Sequence, residues 1–401
     1  MALMPVDEAL ARLLEGAAPL PGETVALAQA GWRVLADEIV ALRTQPPFDA
    51  SAMDGYAVRA ADIVTLPATL RVIGTAPAGR GHAGPVGPGE AVRIFTGAPM
   101  PAGADTVLIQ EDTVSIGENL IEATESTVAG RHIRKRGLDF HAGEALLPAG
   151  RVLDPAALSL AAAGNHARLP VVRKPLVAIL ATGDELLPPG STPGPDQIIA
   201  SNSFGVAALV ERMGGTVLDL GIAPDDRAAI DGAIRTALDA GADIIVTLGG
   251  ASVGDHDLVR AVLTDAGMAL DFWKIAMRPG KPLMFGRFGA VRVLGLPGNP
   301  VASLVCSHLF LAPLVARLAG RPHGLELRDA VLGRAVAEND QRQDYVRASA
   351  VEQDGRLVVT PFGVQDSSML KTLAGANALL IRAPFAPAAE AGSPCRIVML
   401  R

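Results

Sequence analysis

The chain has 401 residues, enough for two to four domains with substantial cores rather than a single fold. Apolar residues make up 49% and charged residues 19%, which excludes a disordered chain and fits an Ala- and Gly-rich globular protein. The net charge of −7 excludes a general nucleic-acid binder, because phosphate neutralisation needs a basic surface, but it leaves room for anionic small molecules in a locally basic pocket.

From the N-terminus, Val6, Leu10, Leu13 and Leu14 form one stripe of an amphipathic helix. Asp7 and Glu8 stand where a secretory signal would carry positive charge, and no run approaches the roughly 18 apolar residues of a membrane span. Cys306 and Cys395 match no metal-ligand spacing, so the reading is a reducing compartment, the cytoplasm. Pro21 to Ala41 predicts a turn and a second amphipathic segment, after which Pro46 and Pro47 impose an extended loop. Asp54-Gly55 is a turn signal, and the local pattern alone makes Asp54 a turn residue. Between Leu70 and Leu147 short alternating strands punctuated by Gly and Pro predict an all-β insert. Thr96 offers a hydroxyl at a strand end there, and Arg131 to Asp139 (RHIRKRGLD) is the most basic cluster, either a solvated face or a phosphate-binding edge. Asp154, Pro155 and Gly164 are the cap, first position and stop of a helix that returns the chain to its N-terminal helical domain.

The middle of the chain alternates strand and helix in the manner of a doubly wound sheet. Leu176–Ala181, Thr216–Ile222 and Asp243–Leu248 are apolar strand runs, and each ends in carboxylates: Asp184 and Glu185, Asp225 and Asp226, Asp255 and Asp257. Each acid alone fits a helix cap; together, beyond the carboxyl ends of parallel strands, they also fit one acid/base or divalent-cation site. Lys274, Arg278 and Lys281 surround a Pro-Gly turn and predict an anion clamp. After the strand Val291–Leu296, Asn299 is a good cap and Pro300 a good first residue for a helix over 301–319, which would aim the N–H groups of Val301 to Ser303 at the crevice. Beyond a linker at 320–324, short alternating strands predict a small β-barrel or sandwich, with Arg347, Ser367 and Ser368 read from pattern as surface residues.

Six ordered motifs, SAMDGYA, FTGAPMP, ATGDEL, LGGASVGDHD, KIAMRPGKP and LPGNPVAS, resemble the molybdopterin molybdenumtransferase family, which includes the E domains of gephyrin and plant Cnx proteins. The resemblance spans essentially the whole chain. It implies a multidomain α/β protein: a discontinuous helical and dimerisation domain at 1–45 and 140–172, a β-rich insert at 46–139, a doubly wound molybdopterin-binding α/β domain at 173–322, and a C-terminal β-barrel-like domain at 323–401. It also implies a cytoplasmic homodimer that inserts molybdenum from molybdate into adenylylated molybdopterin with Mg²⁺ and releases AMP. A transient contact with a molybdopterin adenylyltransferase follows, with neither nucleic acid nor membrane as partner.

Carried over by motif, Asp54, Thr96 and Asp139 look like the contribution of the partner subunit, and Glu185, Asp225 and Asp257 like the acidic, metal-holding centre, with Asp184 and Asp255 as near alternatives. Lys274, Arg278 and Lys281, with Pro297 and Pro300 shaping the turn, resemble the phosphate and molybdate side. Arg347 and Ser367 or Ser368 resemble residues that close over the oxyanion. Arg278 departs from the lysine of many relatives, and Ala302 from a serine, with Ser303 one position later as a candidate oxyanion ligand. The dithiolene of the substrate supplies soft sulfur ligation, so the protein needs no cysteine pair. A molybdopterin adenylyltransferase and a non-catalytic gephyrin-like scaffold are the alternative readings.

Overall fold

The computed structural model describes residues 3–249, 258–322 and 324–400. The chain divides into two compact units, one of Thr24–Gly31 and Asp37–Pro170, the other of Met1–Glu23, Trp32–Ala36 and Val171–Arg401. The N-terminal helix α1 (Val6–Leu14) belongs to the second, larger unit and buries Val6, Ala9 and Leu13 in its core. Where the sequence predicts a second amphipathic segment, the chain forms a strand at Gly22–Ala26 and a 3₁₀ turn at Leu27–Gln29.

The smaller unit is built on six strands: β1 (Gly55–Val58), β2 (Ala68–Ala76), β3 (Glu90–Ile94), β4 (Thr106–Ile109), β5 (Thr113–Gly117) and β6 (Leu120–Ala123). They form one sheet in the order β4-β1-β3-β2-β6-β5. Successive residues of a strand point to opposite faces, and the sheet buries both: Ala57, Val92 and Val107 enter one apolar cluster, Val58, Ala91 and Leu108 another. The predicted helix follows as α2 (Pro155–Ala163), with Asp154 accepting from the Ala157 N–H at 2.9 Å and Pro155 at the first position.

In the larger unit, β7 (Leu176–Thr182), α3 (Asn202–Arg212), β8 (Thr216–Ala223), α4 (Arg227–Asp239), β9 (Ile244–Leu248) and α5 (Leu258–Asp265) alternate as the sequence predicts. After them come β10 (Ala269–Phe272), β11 (Met277–Arg278), β12 (Met284–Phe288), β13 (Val291–Leu296) and the long helix α6 (Pro300–Leu318). The sheet order is β8-β7-β9-β13-β12-β10, parallel through β13 and antiparallel beyond it. Val177 and Ile179 pack toward α1, α3 and α6, whereas Ala178 and Leu180 pack toward α4 and α5. Burial on both faces accounts for the continuous apolar runs. Helix α6 carries one π turn at Ser307–Leu311, because Pro313 lacks the N–H that would bond the Leu309 carbonyl. It is the one helix among the described residues long and apolar enough to cross a membrane, and most of it is buried inside the unit.

The C-terminal strands β14 (Leu327–Leu332), β15 (Gln343–Gln353), β16 (Arg356–Pro361), β17 (Ala378–Arg382) and β18 (Pro394–Met399) run in the order β15-β16-β14-β18-β17. Strand β15 also pairs with β17, so the sheet closes into a five-stranded barrel, and β11 adds to β15 in parallel.

One carboxylate ties the strand starts of the α/β sheet together. Asp243 accepts from both terminal nitrogens of Arg173, at 3.0 and 2.7 Å, and from the Leu176 N–H at 2.8 Å, while its own backbone bonds Leu176 and Arg292. Replacing it leaves a part-buried N–H without its partner and the Arg173 guanidinium with the Lys174 carbonyl, at 3.3 Å, in place of a carboxylate. Asp243→Ala is therefore expected to cost about 2 kcal/mol, read as a lower thermal midpoint by circular dichroism, with Asp243→Asn losing less.

Candidate functional site

The register β7–β9–β13 runs from Val177, Ile244 and Arg292 to Ala181, Leu248 and Leu296, so three parallel strands end level at one edge of the sheet. A cavity of about 1300 Å³ opens there, lined among others by Thr182, Glu185, Asn202, Asp225, Lys281, the turn Pro297–Pro300, and Ser368 and Leu370 of the barrel. This is where ligands bind in open α/β sheets.

The acids of the strand ends divide their work. Asp226 accepts from the Ala229 N–H at 2.9 Å and is the cap of α4. Asp225, one residue earlier, lines the cavity, and its backbone N–H bonds Asp184 Oδ1 at 3.1 Å. Burial raises the Asp225 pKa, and the nearby charges of Asp184 and Glu185 raise it further. Glu185 lines the same rim and lies over Gly183, whose φ of +146° and absent Cβ make that position possible, since a methyl there would run into the Glu185 carboxylate. Asp255 and Asp257, together with Gly250 and Gly254, lie outside the described residues.

Of the predicted basic clamp, Lys281 alone lines the cavity. The Lys274 ammonium stacks on Trp273, 4.2 Å from the ring centroid, with Arg260 at 3.9 Å from the same ring. Arg278 is committed elsewhere: its guanidinium bonds Asp344 Oδ2 at 3.0 and 2.5 Å, Asp340 at 3.3 Å and Asn339 at 3.2 Å, which raises its pKa through Asp344 first. The barrel residues thus claim the arginine that the sequence assigns to an anion.

The helix start differs from expectation as well. Asn299 and Pro300 occupy the cap and first positions of α6, but the Asn299 side chain makes no capping bond. Its Nδ2 donates instead to Ser367 Oγ at 3.0 Å. The Val301 N–H bonds the Ser367 carbonyl at 3.0 Å and the Ser303 N–H the Asn299 carbonyl at 2.9 Å, so neither points into the crevice. Ser303 is fully buried, is absent from the cavity wall, and its hydroxyl lacks a protein partner; the structure does not bring it to the site as an oxyanion ligand.

Arg347, read as a surface residue, is 1% exposed. Its Nε donates to Gln365 Oε1 at 3.0 Å and a terminal nitrogen to the Asp366 carbonyl at 2.7 Å, fixing the loop that carries Ser367 and Ser368. Within the loop, Asp366 accepts from the Ser368 N–H and hydroxyl, which holds its carboxyl below the usual range. In the smaller unit Asp54 and Thr96 are joined: Asp54 Oδ1 accepts from the Thr96 N–H at 2.7 Å and hydroxyl at 2.8 Å, lowering the Asp54 pKa. Asp139 is exposed, with its backbone N–H on the Gln45 carbonyl. The basic cluster is partly neutralised, since Lys135 and the Arg136 N–H both bond Asp49.

Sequence reasoning missed Thr182, 4% exposed with an unpartnered hydroxyl, and Asn202, whose Nδ2 donates to the Gly298 carbonyl at 2.8 Å. The signal for Asn202 was a polar Ser-Asn-Ser run just before the apolar stripe of α3.

Residues 4–164 match the MoeA N-terminal region (domain I and II), 178–317 a probable molybdopterin binding domain, and 329–400 the MoeA C-terminal region (domain IV). The molybdopterin molybdenumtransferase of Haemophilus influenzae is 35% identical over 387 residues, 94% of each chain. That of Bacillus subtilis is 35% identical over 99% of this chain and 94% of its own. The chain belongs to the molybdopterin molybdenumtransferase family. A crystal structure of the molybdopterin biosynthesis MoeA protein from Pyrococcus horikoshii, 28% identical, superposes over 99% of this chain and 100% of its own with a TM-score of 0.77. As a molybdopterin molybdenumtransferase the chain is a transferase of molybdenum cofactor biosynthesis, a multidomain α/β protein with a closed five-stranded barrel.

The raised Asp225 pKa has a stability consequence. The folded state binds the proton more tightly than the unfolded chain, so stability is lost as pH rises from the ordinary aspartate range through the raised folded value. In chelator-treated buffer Asp225→Asn is expected to raise the thermal midpoint at neutral pH, and the gain to vanish below about pH 3.

Proposed function

We propose that this chain inserts molybdenum from molybdate into adenylylated molybdopterin in a magnesium-dependent reaction that releases AMP. One observation carries the reading: a single cavity at the strand ends joins an acidic rim, Glu185 and Asp225, to Lys281 and the Pro297–Pro300 turn. Its volume suits a pterin linked to a nucleotide, and its two kinds of charge suit a cation beside anions.

The donor set fits magnesium. Glu185 and Asp225 are hard oxygen donors that repel each other, and among the described residues no three His, Cys, Asp or Glu side chains form a closed cage. Magnesium is usually held in this way, by one or two carboxylates with water and substrate phosphate completing the shell. When bound it would supply charge neutralisation at the phosphoryl oxygens as the phosphoanhydride opens. Asp257, outside the described residues, completes the acidic centre of this reading. Lys281 balances the doubly charged oxyanion, and Ser367, beside the cavity-lining Ser368 on the loop that Arg347 holds, offers it a hydroxyl. Lys274 stays a second-line cation on the anion side, and Arg278, already paired to Asp344, is left out. Because the substrate arrives adenylylated, a molybdopterin adenylyltransferase acts upstream.

The same reading assigns Asp54, Thr96 and Asp139 to the active site of the second copy in a homodimer. The exposed, hydrogen-bonded and ionised Asp54–Thr96 pair supports a contribution of this kind.

Incubation with adenylylated molybdopterin, Mg²⁺ and molybdate should release AMP only when molybdate is present, and Glu185→Gln or Asp225→Asn should slow release about a hundredfold. Formation of adenylylated product from molybdopterin and ATP alone would instead assign the adenylyltransferase activity. For the dimer, Asp54→Asn and Asp225→Asn alone are each expected to keep about a hundredth of the rate, yet mixed and re-equilibrated they should regain about a quarter of the wild-type rate through hybrid dimers with one intact site. No recovery, with subunit exchange shown by native mass spectrometry, would place both residues in the same subunit's site.

A further inference from the structure

A hydroxyl has one proton and two lone pairs, so what it accepts decides what it can give. Ser367 Oγ accepts from Asn299 Nδ2 at 3.0 Å, and the Ser367 carbonyl accepts from the Val301 N–H at 3.0 Å. The residue is thus held at two points on the start of α6, and its hydroxyl proton is directed to a further acceptor. Asn299 does this from a cap position where its side chain leaves the helix N–H groups alone. The loop is pinned at its other side too, because Gln365 accepts from Arg347 N and Nε and donates to the Arg347 and Phe362 carbonyls. The neighbouring Ser368 spends its own proton on Asp366 Oδ1 at 2.5 Å. Ser368 lines the cavity with its proton spent, so Ser367, next to it in the chain and bonded to Asn299 of the cavity wall, is the one set up as a donor.

We propose that Asn299 is a positioning residue that orients Ser367 as a hydrogen-bond donor to the substrate oxyanion. This rests on the molybdate reading above. The role lies in binding: Asn299 governs how tightly the anion is held and leaves the rate of the loaded enzyme alone.

Asn299→Asp separates this role from folding. Aspartate is as good a helix cap as asparagine, but its carboxylate takes the Ser367 proton instead of donating to the oxygen. Asn299→Ser provides a neutral cap too short to reach Ser367. With molybdate-dependent AMP release from the full-length protein as the assay, each variant is expected to keep its thermal midpoint, raise the KM for molybdate about tenfold and leave kcat within about twofold. Combined with Ser367→Ala, the neutral Asn299→Ser should add no more than about twofold to the KM of Ser367→Ala alone. Unchanged KM in both variants, or an Asn299→Ser effect that multiplies with Ser367→Ala, would overturn the proposal. Wild-type protein that releases no AMP on addition of molybdate would instead refute the underlying reading, whatever the variants do.

Discussion

Three parallel strands paired in register from Val177, Ile244 and Arg292 reach one edge of the sheet together, and what the backbone does next places Glu185 and the Pro297–Pro300 turn on the cavity. The turns have to pack as closely as the strands. A side chain at Gly249 (φ +97°) would meet the Thr182 carbonyl at 2.8 Å, and one at Gly298 would sit 3.6 Å from the Gly249 Cα. Gly249 thus lets the ends of β9 and β7 stay at strand spacing while the chain turns outward, with Gly298 at ordinary contact distance beside it.

The edge then sorts charge. Acids that cap helices, such as Asp226, are satisfied by the backbone, whereas for Asp225 burial and the repulsion of Asp184 and Glu185 outweigh the backbone hydrogen bond it gains from Asp184. A site that stores unfavourable like charge in the absence of ligand is suited to a divalent cation, because the cation removes the repulsion as it binds. The basic side is sparser than its composition suggests. Arg278 is neutralised by Asp344 and Asp340, Lys274 lies against Trp273, and Arg227, which also lines the cavity, is paired to Asp265, so Lys281 meets the cavity with little competing positive charge. Dividing the cations this way links the β10–β12 segment to the barrel and keeps the cavity from a large excess of positive charge.

The strands and their acidic ends were legible in the sequence because burial on both faces writes itself as an uninterrupted apolar run, and a cap sits within three residues of what it caps. Leu176, Thr216 and Val291 start strands as read, and Asp154 caps α2 as read. Partners distant in sequence were not legible. Arg347 looks like any strand arginine until β15 closes the barrel and buries it beside Gln365, 18 residues away. Arg278 looks like a cation beside a Pro-Gly turn until Asp344, 66 residues on, faces it. Ser303 alternates with Ala302 on a helix whose buried face is fixed only once α6 is surrounded. In each case local pattern names a chemical group, and the long-range contact decides whether it is available.

The start of α6 shows why cavity and barrel belong to one mechanical system. A helix begins with N–H groups that have no intrahelical partner. Here Pro300 has none to satisfy, and the Val301 N–H is taken by the Ser367 carbonyl, so the barrel loop does the capping that the Asn299 side chain does not. The same helix goes on to place Val305, Leu309, Phe310 and Leu314 in the core beneath the sheet. Displacing the loop would therefore expose the first turn of a core helix and the cavity wall at once. That shared cost makes it unfavourable for the barrel to leave the cavity while α6 stays intact, and it keeps Ser368 at the rim and Ser367 on Asn299.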